Sequence, residues 1–201
     1  MGLHKRGPVA LPGYWWPAVI VATACVAIAL AGDAGRELLR YDRPAIGNGE
    51  LYRLLSAHFT HLGPAHLVLN LAGLVLVWLL VGRRYRAGEW MLVTAITVTV
   101  ASAGFWFLDR NLHWYVGFSG ALHGLLIAGA VRGLRVLPVE SAIIVAVVVA
   151  KLAWEQFIGP LPGSESIAGG PVLVNAHLYG AAGGALAAAV LWRGAPQRPP
   201  I

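Results

Sequence analysis

Six runs of apolar residues, at roughly 15–31, 63–82, 90–108, 115–134, 138–154 and 171–192, dictate how this chain can fold. Each is close to the ~17–25 residues that a helix needs to cross a hydrocarbon core. Inside lipid every backbone polar group must be satisfied within the protein, which leaves helices and closed barrels. Continuous apolar runs of this length, without two-residue alternation, specify helices. The expected fold class is therefore all-α integral membrane: a six-transmembrane-helix bundle, read as one domain over residues 1–201. Charged residues make up 12% of the chain and mean hydropathy is +0.67, whereas a soluble domain carries about 25% charge. No connection is long enough to hold a soluble domain.

The formal net charge of +6 follows topology rather than a nucleic-acid partner. With the N-terminus cytoplasmic, the inner segments hold Lys5, Arg6, Arg83, Arg84, Arg86, Arg132, Arg135, Arg193 and Arg198. The outer segments hold Arg36, Arg40, Arg43, Arg53, Arg110 and Lys151. The excess lies on the side that the positive-inside rule requires, and an even number of spans puts both termini in the cytoplasm. The first run admits two readings. Lys5-Arg6, an apolar stretch and Ala29-Leu30-Ala31 resemble a cleavable signal peptide. The pair Trp15-Trp16 favours a retained helix anchored at the interface. Cys25 is the single cysteine, so no intrachain disulfide can form.

Polar residues within such runs are costly and mark function. A metalloprotease would show His-Glu-x-x-His on one helical face, and no such motif occurs. An aspartyl pair would need two acids within spans, yet all nine acids fall in loops or at span ends. A serine with a histidine remains. Ser119 follows Gly117 and precedes Gly120, near the outer end of the fourth run. It reads either as a cap on a helix with a small-residue packing face or as a nucleophile whose glycine neighbours let a substrate backbone approach. His177 lies at the same end of the sixth run, followed by Gly180 and Gly184. Gly120 and Gly124 repeat that spacing, so two glycine-faced helices can pack closely enough to join Ser119 to His177. His66 and Asn70 share a face of the second run. They read as oxyanion donors or as interhelical hydrogen-bonding groups. No acid stands at an obvious third position. The expected machinery is a Ser–His dyad, with Glu155 and Glu165 as loop acids, either solvated or attracting a basic substrate segment.

Together these residues resemble the rhomboid family of intramembrane serine proteases. The resemblance rests on His66-x-x-x-Asn70, on Gly117-Phe118-Ser119-Gly120, on Ala176-His177-x-x-Gly180-x-x-x-Gly184, and on Tyr52-Arg53 in the first outer loop, with His61 as an extra histidine. It implies Ser119 as nucleophile, His177 as general base, and His66, Asn70 and the Ser119 N–H as the oxyanion hole, with Arg53 structural. It also implies no metal or other cofactor. Many bacterial members carry a tyrosine where this chain has His123, which shares a face with Ser119. His123 can stack on His177, donate a hydrogen bond, or act as base itself.

The stretch 154–166, the following Gly169-Gly170 segment and the Gly-Phe-Ser-Gly-Ala-Leu-His-Gly string look like rhombosortase. That branch processes proteins bearing a C-terminal Gly-Gly-type sorting tail. The implied partners are membrane-anchored substrates with a C-terminal transmembrane tail and the lipid bilayer itself. The implied location is a bacterial inner membrane, with the active site opening toward the periplasm. A general rhomboid protease with other substrates and an inactive membrane-helix binder are the alternatives. A transporter is disfavoured, because the polar residues cluster at span ends instead of lining a path.

Overall fold

The computed structural model describes residues 12–192. Lys5, Arg6, Arg193 and Arg198, four of the charges behind the inside bias, lie outside the described residues. The chain is a mostly helical membrane protein. Its first long helix, α1 (Trp16–Leu30), leads into a folded loop, the first outer loop of the expected topology. That loop contains α2 (Gly32–Leu39), the two-residue strand β1 (Tyr41–Asp42), α3 (Arg43–Gly47) and α4 (Arg53–Ser56). The remaining elements are α5 (Pro64–Val81), α6 (Ala87–Phe107), β2 (Trp114–Tyr115), α7 (Ser119–Gly133), α8 (Pro138–Phe157), α9 (Ser164–Ala168) and α10 (Val174–Val190). The stretches Gly13–Leu30, Pro64–Arg84 and Ala87–Phe107 are each long and apolar enough to cross a membrane unaided.

Local chemistry sets the helix ends. Pro64 and Pro138 occupy the first positions of α5 and α8, where a missing N–H costs nothing and the fixed φ is already helical. A capping box opens α6, with Glu89 Oε2 accepting from the Arg86 N–H at 2.7 Å. The fourth run departs from expectation at its start. Residues 115–118 are apolar but not helical: Tyr115 pairs antiparallel with Tyr41, and the helix begins only at Ser119. Tyr115, Val116 and Phe118 are buried against protein rather than facing lipid. This small strand pair is an addition to an otherwise helical fold.

Side chains such as Val68, Leu76 and Leu79 on α5, Ile143 and Val147 on α8, and Leu186 and Val190 on α10 remain exposed. A surface this apolar suits lipid contact. In the core the Trp90 ring lies 5.0 Å from the rings of both Trp78 and Tyr85. The first outer loop is held by its arginines. Arg53 bonds Glu50 and the carbonyls of Glu37 and Arg40, and Arg43 gathers the carbonyls of Phe105, Trp106, Asp109 and Leu112. Both reach carbonyls at the C-terminal ends of helices, α2 and α6, that would otherwise be orphan acceptors.

Glycine positions the helix pair that matters for chemistry. The largest helix–helix contact is between α7 and α10. A Cβ added at Gly180 would collide with the Gly120 carbonyl, and one at Gly184 with the Gly124 carbonyl. The two backbones touch where side chains would otherwise hold them apart, as small-xxx-small packing predicts.

Candidate active site

Gly117 has φ +133°, a region that only glycine enters without strain. A Cβ there would also come within 2.9 Å of the His66 ring. This turn delivers Ser119 as the first residue of α7, where the leading backbone N–H groups have no intrahelical acceptor. Ser119 Oγ lies 3.0 Å from Nε2 of His177, in the first turn of α10. The glycine contacts just described make that distance attainable. Nucleophile and base reach are thus present in one geometry.

The other imidazole nitrogen is where the structure corrects the sequence reading. His177 Nδ1 lies 2.8 Å from Glu155 Oε2, and Glu155 Oε1 accepts from Lys151 Nζ at 2.6 Å. Glu155 is not a solvated loop acid: it belongs to α8, and its side chain is only 2% exposed. Nor is Lys151 an outer-segment charge, since it sits one turn back on the same helix. An acid does stand behind the histidine, so the side chains joined here number more than two. The signal was present as Lys151-x-x-x-Glu155, an i, i+4 ion pair inside an apolar run.

His123 stacks on His177, with ring centroids 4.2 Å apart and planes inclined by 22°. Its Nδ1 lies 2.7 Å from the Ser119 carbonyl. A carbonyl only accepts, so this nitrogen carries the proton. Of the roles open to His123, the geometry matches stacking and donation; its Nδ1 faces the carbonyl of Ser119 and not the hydroxyl.

His66 and Ser119 both line a cavity of about 350 Å³. Its lining includes Leu112, Trp114 and Val116 from around β2, and Ala168, Pro171 and Leu173 from the segment before α10. The Leu62 N–H points to His66 Nδ1 at 3.4 Å. That leaves His66 Nε2 as the protonated, donating nitrogen. Asn70 is placed differently: its amide donates to the His66 carbonyl of its own helix at 2.9 Å, and it does not line the cavity. His61 packs edge-on to His66 at 5.1 Å, and burial pushes its imidazole down to about 4. His61 is therefore neutral beside the site. Asp109 accepts from Asn175 and Tyr179, fixing the start of α10 to the end of α6.

A family comparison adds the deciding observation: a Rhomboid domain model matches residues 48–194. The chain belongs to the rhomboid family. The match opens in the loop between α1 and α5 and runs through α10, so it takes in every side chain of the candidate site. Among curated proteins no sequence match accompanies it. Membership makes this rhomboid a member of a family of intramembrane serine proteases that act on membrane proteins within the bilayer.

One further chemistry needs weighing in this rhomboid. Ligand atoms of His123, Glu155 and His177 lie within 4.8 Å of one another, close enough to hold a metal ion. The Lys151 ammonium already supplies positive charge to that carboxylate, and His123 has committed Nδ1 to the Ser119 carbonyl. Serine chemistry needs no metal at this place.

Proposed function

We propose that this rhomboid is an intramembrane serine endopeptidase that removes C-terminal Gly-Gly-type membrane-anchoring tails from exported proteins. Ser119 is the nucleophile and His177 the general base. His66 and the Ser119 N–H receive the oxyanion, with Asn70 beside them. The observation that carries this reading is the 3.0 Å approach of Ser119 Oγ to His177 Nε2 at a cavity also lined by His66. In this reading all six long helices span the inner membrane, both termini are cytoplasmic, and the site opens toward the periplasm.

The chemistry follows from the atoms. His177 Nε2 takes the Ser119 proton as Oγ bonds to the scissile carbonyl carbon, and the carbonyl electron pair moves onto oxygen. Donors aimed at that oxygen stabilise it most strongly in a water-poor site. The protonated imidazole then gives its proton to the departing amine, leaving an acyl-enzyme that water hydrolyses. A glycine-rich substrate suits the site for two reasons. A membrane helix must unwind before its backbone can be attacked, and glycine lowers that cost. A segment without Cβ atoms also fits more easily into a cavity lined by Trp114 and Pro171.

The test is cleavage in liposomes of a reporter carrying Gly-Gly, an apolar helix and a basic tail. Wild type should cut it, while Ser119→Ala should be inert yet melt normally. Replacing the reporter's glycines should abolish cutting. Turnover by Ser119→Ala sinks the nucleophile assignment. Cleavage that ignores the glycines replaces the sorting-tail substrate with a broader range, and binding without cleavage by a folded wild type favours a helix-escort role.

A further inference from the structure

We propose that Glu155, clamped by Lys151, is a positioning residue that fixes the tautomer of His177 and balances the charge the imidazole acquires. The reactive unit then becomes a Ser119–His177–Glu155 relay assembled from α7, α10 and α8. This inference rests on the proposed serine chemistry and adds a third member to it.

Hydrogen-bond logic carries it. A neutral imidazole has one N–H, and an ionised carboxylate can only accept. At 2.8 Å, Glu155 Oε2 therefore draws the proton to Nδ1. Nε2 is left bare, facing Ser119 Oγ at 3.0 Å. The opposite tautomer would put a proton where the hydroxyl proton has to go. Lys151 Nζ stands 3.4 Å from His177 Nδ1 but 2.6 Å from Glu155 Oε1, so its short contact is to the acid. A buried carboxylate without a cation would be expensive and would neutralise itself. Lys151 supplies the cation and reaches water along its stem, its side chain 28% exposed against 2% for Glu155. His123 stacks on the open face of His177, so the ring is held in plane by Glu155 and across the plane by His123.

The step balances without Glu155 taking a proton. The Ser119 O–H bond breaks as the Oγ–carbon bond forms, the proton goes to Nε2, and Nδ1–H stays bonded to Glu155. Imidazolium and carboxylate then face each other until the leaving amine removes the proton from Nε2.

The experiment uses the full chain in liposomes with four variants: Glu155→Gln, Glu155→Asp, Lys151→Met and the double variant Glu155→Gln with Lys151→Met. Three quantities are read: kcat and KM on the Gly-Gly reporter, the rate of Ser119 modification by a fluorophosphonate, and the melting temperature. A glutamine amide can donate to Nδ1 and hold the wrong tautomer, so Glu155→Gln should lower kcat and labelling together. The expected loss is about 10²–10⁴-fold, with KM unchanged. Glu155→Asp should regain part of the rate. Lys151→Met should lower the melting temperature, and the double variant should recover it without recovering kcat.

Recovery of wild-type turnover by the double variant would make Glu155 a mere counterion to Lys151 and overturn the proposal. So would near-normal kcat in a folded Glu155→Gln. If wild type labels at Ser119 but leaves the reporter intact, the substrate reading fails while the labelling rates still judge Glu155. A folded wild type that neither cuts nor labels overturns both.

Discussion

The nitrogen of His66 that faces the reaction is set by a backbone group. Because Leu62 N–H points to Nδ1, Nε2 is a donor, and it lines the same cavity as Ser119. Asn70 gives an amide hydrogen to its own helix instead. The two residues were equivalent in the sequence, one helical turn apart on one face, and only the geometry separates them. His66→Ala should cost about 10²–10³ in kcat, the loss typical of a deleted oxyanion donor, and Asn70→Ala should cost clearly less. Steady-state kinetics on the same reporter decides it, and an equal or larger loss at Asn70 would return that amide to the oxyanion hole. Ser119 and His177 were legible as candidates because short glycine-flanked motifs carry them, and His66 because it stands one helical turn before Asn70. Glu155 was legible only as one half of Lys151-x-x-x-Glu155, because acids near the end of an apolar run look alike whether they turn to water or inward. Only the position of α8 against α10 distinguishes these cases.

The helices were legible as elements because hydropathy over 15 to 20 residues is a strong signal. Their contacts were legible only where glycine recurs at four-residue spacing. Gly180 meets the Gly120 carbonyl and Gly184 meets that of Gly124, so the α7–α10 seam tolerates no side chain. Gly180→Val should therefore open the seam, lower the melting temperature and abolish fluorophosphonate labelling of Ser119. Overpacking of this kind typically costs about 1–3 kcal/mol. Gly88 is the control: it lies in the first turn of α6 with nothing near its would-be Cβ, and Gly88→Ala should leave both readouts unchanged. Labelling preserved in a folded Gly180→Val would mean that Ser119 and His177 do not depend on this packing. The first outer loop was the least legible element. Its short helices and the Tyr41–Tyr115 pairing are held by arginines reaching carbonyls up to 69 residues away in sequence, and no local pattern announces such bonds.

At the scale of the whole molecule, helix length places the site in depth. With 15 residues, α7 is about 22 Å long, against ~30 Å of hydrocarbon. If its inner end, with Arg132 and Arg135, marks the cytoplasmic interface, Ser119 lies several Å below the outer one. Residues 115–118, apolar but folded as strand and turn, precede Ser119 on the side of that shortfall. The proposed orientation rests on charge distribution. Four of the arginines expected on the outer side are engaged within the fold: Arg36 with Asp33, Arg40 with Glu37 and Asp42, Arg53 with Glu50, and Arg43 with carbonyls. Lys151 faces Glu155 inside the bundle. Arg83, Arg84, Arg86, Arg132 and Arg135 gather toward the opposite end, the distribution that the positive-inside rule expects of a cytoplasmic side. Single cysteines placed in a Cys25→Ala background read this directly. In intact cells with an opened outer membrane, Asn111→Cys, beside the cavity, should react with an impermeant maleimide. Leu137→Cys, between α7 and α8, should react only after the inner membrane is permeabilised. The reverse pattern would put the active site on the cytoplasmic face and exclude exported tails as substrates. Reaction of both from one side would mean that α7 does not cross.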